Sequence, residues 1–122
     1  MLNEIVLMGR LTKDPEMRNT QSGKFVTTFT LAVDRDFDGD KTDFFTCVAW
    51  NKTAEFVKQY IEKGQLITVK GSMQSREWSD KNGNNRLSWD VQVTNVYPCE
   101  RKKKPDIQAA DFSDLDDEDI PF

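Results

Sequence analysis

The sequence predicts an all-β fold: a five-stranded barrel with one helix between its third and fourth strands, followed by a disordered acidic C-terminal tail. Three observations predict it. Between Leu2 and Tyr97 lie five runs rich in aliphatic, β-branched and aromatic residues, most of them alternating with polar ones, the period that puts every second side chain on one face of a strand. A single stretch, Lys52–Lys63, has helical spacing instead. Core-forming runs stop near residue 100, and the remainder of the chain is polar and acidic with no periodic core pattern. A length of 122 residues fits one ordinary domain.

The elements come in order along the chain. Leu2–Leu11 reads as the first strand, its run Ile5, Val6, Leu7, Met8 ending at Gly9. Asp14-Pro15 and Ser22-Gly23 mark turns. Phe25–Val33 is the second strand, with Phe25, Thr27, Phe29, Leu31 and Val33 on one face. Acidic Asp34–Asp43, containing Gly39, is a loop. In the third strand, Phe44–Trp50, the set Phe45, Cys47 and Ala49 suits a core and leaves Phe44, Thr46, Val48 and Trp50 opposite. Lys52–Lys63 is the helix, which Asn51 can cap and Gly64 can close. Ala54, Val57 and Ile61 share its face, with Phe56 and Tyr60 alongside. Gln65–Trp78 is a long strand with Ile67, Val69, Gly71, Met73 and Ser75 on one side and Lys70, Gln74, Arg76 and Trp78 on the other. Asn82-Gly83 signals a hairpin turn. Arg86–Tyr97 is last, with Leu87, Trp89, Val91 and Val93 on one face. This β-β-β-α-β-β order is the outline of the partly open oligonucleotide-binding (OB) barrel, though other small barrels have similar counts.

The layout of charge says more than its sum of −4. No Lys or Arg follows Lys104, whereas seven acids do: Asp106, Asp111, Asp114, Asp116, Asp117, Glu118 and Asp119. Residues 1–104 therefore hold all 17 bases against 14 acids, and four of those bases form the run Arg101–Lys104. That run could grip DNA or simply keep the barrel exit soluble. Net acidity does not exclude an anionic partner, but it requires any nucleic-acid site to be a local patch. Cys47, inside an alternating apolar run, reads as a small buried thiol; together with Cys99 it makes no secreted disulfide framework. No signal-like segment opens the chain and no apolar run approaches roughly 18 residues. The expectation is a soluble cytoplasmic protein with no membrane partner.

Catalysis has little to stand on. The chain has no histidine, the commonest general base near neutral pH, no recognisable nucleophile motif and no Cys/His cluster at metal spacing. No catalytic residue, metal ligand or cofactor is expected. Asp34-Arg35-Asp36-Phe37-Asp38-Gly39-Asp40 opens like a calcium loop, but the twelfth position, where a bidentate Glu is needed, is Phe45 inside a strand. The pronounced feature is aromatic: Phe37 in the acidic loop, Phe44 and Trp50 on the non-core face of the third strand, and Trp78 beside Arg76. Bases of a single strand stack on such rings while cations such as Lys52, Lys63, Lys70, Arg76 and Arg86 neutralise phosphates. The same rings could instead fill a core or a subunit interface, and composition alone does not decide. Trp89, sharing its face with Val91 and Val93, reads as packing.

The residues also carry a family resemblance over residues 1 to about 97 and again over the last six. It runs in order through Gly9-Arg10-Leu11-Thr12-Lys13-Asp14-Pro15-Glu16-Met17-Arg18, Phe29-Thr30-Leu31-Ala32-Val33, Thr42-Asp43-Phe44-Phe45 and Trp50-Asn51-Lys52-Thr53-Ala54-Glu55. Tyr60-Ile61-Glu62-Lys63-Gly64, then Gly71 to Arg76-Glu77-Trp78, and the ending Asp119-Ile120-Pro121-Phe122 complete it. In that order the chain resembles the bacterial and phage single-stranded DNA-binding proteins. The resemblance implies an OB domain over residues 1–100, a flexible linker over 101–113 and a protein-interaction tip over 114–122. It implies binding of single-stranded DNA with little sequence preference, usually as a homotetramer, on DNA in the bacterial cytoplasm. It places the stacking aromatics at Phe37, Phe44, Trp50 and Trp78 and the phosphate contacts at Lys52, Lys63, Arg76 and Arg86. The tip, Asp116, Asp117, Glu118, Asp119, Ile120, Pro121 and Phe122, would recruit replication, repair or recombination proteins. There are departures. Phe37 and Phe44 stand where Trp is frequent, Glu77 stands where a base is common, and eighteen residues from Pro105 to Phe122 reach at most roughly 60 Å. Two other functions compete: an OB-fold adaptor in replication restart for which DNA is secondary, and a metal-dependent single-strand nuclease.

Overall fold

The structure is a computed structural model and describes residues 1–101. Apart from Arg101, the expected linker and the expected tip lie outside the described residues. Six strands and one helix succeed one another as β1 (Ile5–Leu11), β2 (Glu16–Asn19), β3 (Phe25–Asp34), β4 (Thr42–Trp50), α1 (Asn51–Tyr60), β5 (Leu66–Ser79) and β6 (Asn85–Pro98). The sheet order is β1-β5-β6-β4-β3-β2, and a further pairing of β1 with β3 closes it. Five strands thus form the expected ring, with α1 between β4 and β5. The sixth, β2, lies outside the ring on β3, with Met17 opposite Thr27 and Arg18 opposite Val26. Its four residues are all exposed, so they carry no apolar alternation. Its backbone ladder to β3 holds it there, and a pattern of side chains cannot announce that. No helix among the described residues is long and apolar enough to cross a membrane.

The core is built from the inward faces that alternation picks out. Phe29, Leu31, Cys47, Ala49, Ile67, Val69, Val91 and Val93 are buried, joined by Leu11 from β1 and by Ala54, Val57 and Ile61 at the helix. Buried Thr27 is satisfied because its Oγ1 donates to the Ala54 carbonyl, 2.9 Å away, which ties α1 to β3. The one parallel pairing among the described strands, Cys47–Ala49 of β4 against Val91–Val93 of β6, is a seam within that ring. Gly71 makes the curvature possible. It sits at the register shift in the β5–β6 ladder, and a Cβ there would lie 2.0 Å from the Gln92 carbonyl oxygen. Only a residue without a side chain lets β5 coil that tightly onto β6.

Two local expectations are corrected. The helix starts at Asn51 itself, at φ 54°; the cap position is Trp50, which makes no side-chain capping bond. Asparagine tolerates the left-handed region better than most residues, and here it spends that tolerance on the chain's abrupt change of direction after β4. The helix also ends at Tyr60 rather than Lys63, because Ile61 turns extended and is buried in the core. Gly64 instead shapes the next turn, where the Gln65 N–H donates to the Glu62 carbonyl. Beyond the barrel β5 and β6 continue as a two-stranded arm from Gln74 paired with Asp90 to Ser79 paired with Asn85. At its tip the Gly83 N–H donates to the Asp80 carbonyl, and Gly83 takes the left-handed position at φ 81° that a bulged three-residue hairpin requires.

Candidate nucleic-acid interface

Turning the apolar residues of β4 and β6 inward forces their neighbours outward. The register places Val48 beside Gln92, and across β6 it places Gln92 opposite Ser72, Asp90 opposite Gln74, Ser88 opposite Arg76 and Arg86 opposite Trp78. One continuous outer face therefore runs from β4 over β6 to β5. It carries Phe44 and Trp50 from β4 and Arg76 and Trp78 from β5. The three rings are 66%, 41% and 43% exposed for Phe44, Trp50 and Trp78, too much for core side chains and enough for a planar ligand to reach them.

The indoles are held by their edges. Trp50 Nε1 donates to Gln92 Oε1 at 3.1 Å, and Trp78 Nε1 donates to Ser88 Oγ at 2.8 Å. A bond in the ring plane fixes orientation without covering the π face. The arm's two arginines are held likewise. Arg76 Nε donates to Asp90 Oδ2 at 3.0 Å, and Arg86 Nε donates to Asp80 Oδ2 at 3.1 Å. Asp80 also accepts from the backbone N–H groups of Asn82 and Asn84, each at 2.9 Å. Those bonds, the Asn84 N–H foremost and then Arg86, hold its carboxyl below the ordinary carboxylate range against the opposing effect of burial. The face thus offers aromatic planes interleaved with fixed guanidinium groups, an arrangement able to stack bases and neutralise a phosphate chain.

Not every expected residue joins that face. Lys52 is exposed in the first turn of α1, two residues beyond Trp50. Lys63 is exposed past the helix's other end, where its backbone N–H donates to Asp14 Oδ1 at 2.8 Å. Asp14, with Lys13 and Glu16, borders a shallow cleft against Thr28, Thr30 and Thr46, so Lys63 flanks the face rather than lying on it. Phe37 is fully exposed in the β3–β4 loop and borders the groove lined by Leu7, Val33 and Phe45 at the other side of the sheet. At the strand ends that flank that loop, Arg35 pairs with Asp43 at 3.0 Å and Thr42 Oγ1 donates to Asp34 at 2.7 Å. The Arg35 guanidinium keeps the Asp43 carboxyl below its usual range.

Trp89 is a correction. Val91 and Val93 on its face are buried, but Leu87 and Trp89 are 59% and 55% exposed, because β6 has by then left the barrel and has only β5 beside it. Alternation gave the right face for Trp89, opposite to Trp78, but could not say where the core stops. Sequence reasoning also missed the residues that hold the site: Gln92, Ser88, Asp90 and Asp80. Finding Ser88 and Asp90 needed the β5–β6 register and finding Gln92 the β4–β6 one, neither of which a single run of residues displays. β2 also puts Arg18 opposite Val26, itself opposite Trp50, a neighbourhood that no run of residues discloses.

Comparison with known proteins is consistent with this geometry. The sequence model of the single-strand binding protein family matches residues 2–99. The chain is similar to the single-stranded DNA-binding protein of Caldanaerobacter subterraneus subsp. tengcongensis, 45% identical over 106 residues, 84% of this chain and 71% of that one. It is similar to single-stranded DNA-binding protein A of Bacillus subtilis, 43% identical across 84% of this chain and 62% of that one. The Thermotoga maritima single-stranded DNA-binding protein is 44% identical, across 82% and 75% respectively.

Proposed function

The chain belongs to the single-strand binding protein family, and on that footing we propose that it binds single-stranded DNA with little sequence preference. Bases stack on Phe44, Trp50 and Trp78, and the strand's path continues past the edge of that face to Phe37, exposed in the β3–β4 loop. Lys52, Arg76 and Arg86 neutralise phosphates, and Lys63 extends the path along the flank. The function is binding and protection of the strand in the bacterial cytoplasm, not catalysis. The observation that carries this reading is the outer face of β4, β6 and β5, where half-exposed rings held by their edges alternate with guanidinium groups. Titration with a labelled oligothymidylate tests it. The logarithm of affinity should fall linearly with log salt, by about 0.7 per neutralised phosphate, and duplex DNA should bind far more weakly because its bases are not free to stack. Equal affinity for duplex and single strand would overturn it.

Two further parts belong to the proposal. The OB domain over residues 1–100 carries a linker over 101–113 and a tip over 114–122, in which the acids Asp116–Asp119 face basic groups on replication, repair or recombination proteins and Phe122 enters an apolar pocket. Deleting Ile120–Phe122 should abolish capture of those partners and leave DNA affinity nearly intact; unchanged capture would refute recruitment. The domain also self-associates, as a homotetramer. Val6 and Met8 project from β1 at 61% and 57% exposure, beside Lys70 and Thr68 of β5, with Tyr97 across from Thr68. An exposed apolar row of this kind favours burial against another copy. Native mass measurement, with and without a long oligonucleotide, tests the oligomer.

A further inference from the structure

The ways in which this chain holds its arginines divide into two kinds. Arg10 spends its terminal amino groups on a carboxylate: Nη1 donates to Glu100 Oε1 at 2.7 Å and Nη2 to Oε2 at 3.3 Å. Arg35 gives both Nε and Nη2 to Asp43, and Arg18 uses Nη2 on Glu16. The two arginines of the arm differ. Arg76 and Arg86 each make one bond among the described residues, through Nε, and their side chains remain 53% and 58% exposed. Their carboxylates are the better-enclosed partners, at 10% for Asp90 and 17% for Asp80. Asp80 is fixed independently of its arginine by the two turn N–H groups; Asp90 is enclosed within the sheet, where its Oδ1 has no hydrogen-bond partner among the described residues and its Oδ2 takes the bond from Arg76. The Nε bond sets the direction of the guanidinium and leaves free the Nη pair that grips a phosphate.

We propose that Asp80 and Asp90 are positioning residues, which hold Arg86 and Arg76 by Nε so that both Nη groups are presented, on either side of Trp78, to the phosphates of the bound strand. The inference rests on the DNA-binding reading above and adds that two acids in the groove strengthen binding. Bare electrostatics says the opposite. Removing one negative charge about 8 Å from a phosphate in water should tighten binding about twofold. Pre-ordering acts the other way, because a long side chain immobilised only on binding weakens the complex by about threefold to tenfold. If positioning dominates, removing the acid loosens the complex.

The test is a pair of double-mutant cycles on the full chain, read by anisotropy of a labelled oligothymidylate. Asp90→Ala and Asp80→Ala are made in the wild type and, respectively, on Arg76→Ala and Arg86→Ala backgrounds. With the twofold electrostatic gain set against the ordering loss, each single Asp variant should bind about 1.5-fold to fivefold more weakly, and each should weaken nothing once its arginine is gone. Asp80→Asn, which can keep the turn bonds through a neutral oxygen, should recover part of the loss. Because Asp80 lies at an exposed hairpin tip, its cycle stands even if Asp90→Ala fails to fold. Binding as tight as wild type, or tighter, in the single variants overturns the positioning role, and so does equal weakening with and without the arginine. A wild-type chain that does not bind oligothymidylate defeats the DNA reading itself, a result distinct from either.

Discussion

Two indoles leave the same arm on opposite faces, and they should respond differently to truncation. Trp78 shares its side with Arg76 and Arg86, whereas Trp89 shares its side with Leu87, Ser75 and Glu77. Trp50→Ala and Trp78→Ala should each weaken binding of labelled oligothymidylate by about 1–3 kcal/mol, the worth of one stacked base. Trp89→Ala, at an exposed position, should change both affinity and stability by no more than about 0.5 kcal/mol. An affinity loss confined to Trp89→Ala would mean that the two faces have been assigned the wrong way round. The cysteines also separate at this scale. Cys47 is fully buried, and burial, with a smaller push from Asp90, raises its thiol to about 12. At pH 8 it is almost wholly protonated and sterically closed, so it should resist alkylation in the native chain, while exposed Cys99 reacts. Mass analysis should find one modified thiol before unfolding and two after. Which face each of these residues would take was legible from the period of two alone. How deeply each would be buried was not, since burial depends on what lies beyond the strand.

Among the elements, the arm depends most on a residue that does nothing chemically. Gly71→Ala would press a methyl group against the Gln92 carbonyl, and β5 would have to lift from β6 at the bulge. The expected cost is about 1–3 kcal/mol, the usual range for forced overpacking, read as a lowered denaturation midpoint with unchanged slope. A Gly71→Ala chain as stable as wild type would show that the bulge is slack. Sequence patterns reached most of this architecture. Phe25, Thr27, Phe29, Leu31 and Val33 were placed on the inward face of one strand, and Ala54, Val57 and Ile61 against the core, because half-buried elements leave a periodic trace. They did not reach β2, whose residues bury nothing, or the end of α1, where the pull of Ile61 into the core outweighs helical spacing over Glu62 and Lys63. The residues that hold the site were equally hidden. Ser88, Gln92, Asp80 and Asp90 are ordinary polar residues until a register sets them opposite an indole or a guanidinium.

At the scale of the whole molecule, an acidic chain sets two exposed guanidinium groups among aromatic rings on one face. Seven acids lie beyond Lys104, and the arm's arginines each meet an acid through Nε. Composition could say that any anion site must be local; the closed sheet sets Arg76 and Arg86 on the face that carries Trp78. That closure also carries a kinetic consequence. The parallel seam of β4 and β6 brings together positions as far apart as Cys47 and Val91, with α1 and β5 lying between them in the chain. Local hairpins such as β3–β4 and β5–β6 can assemble first, so the ring should zip shut late, in the slower range of about milliseconds to seconds usual for barrels rich in distant pairings. Truncating a seam residue such as Val91 should therefore mostly hasten opening and barely slow the approach to the native state. Stopped-flow chevrons of Val91→Ala should show the change chiefly on the unfolding limb. A change confined to the refolding limb would instead make the seam the place where this barrel begins.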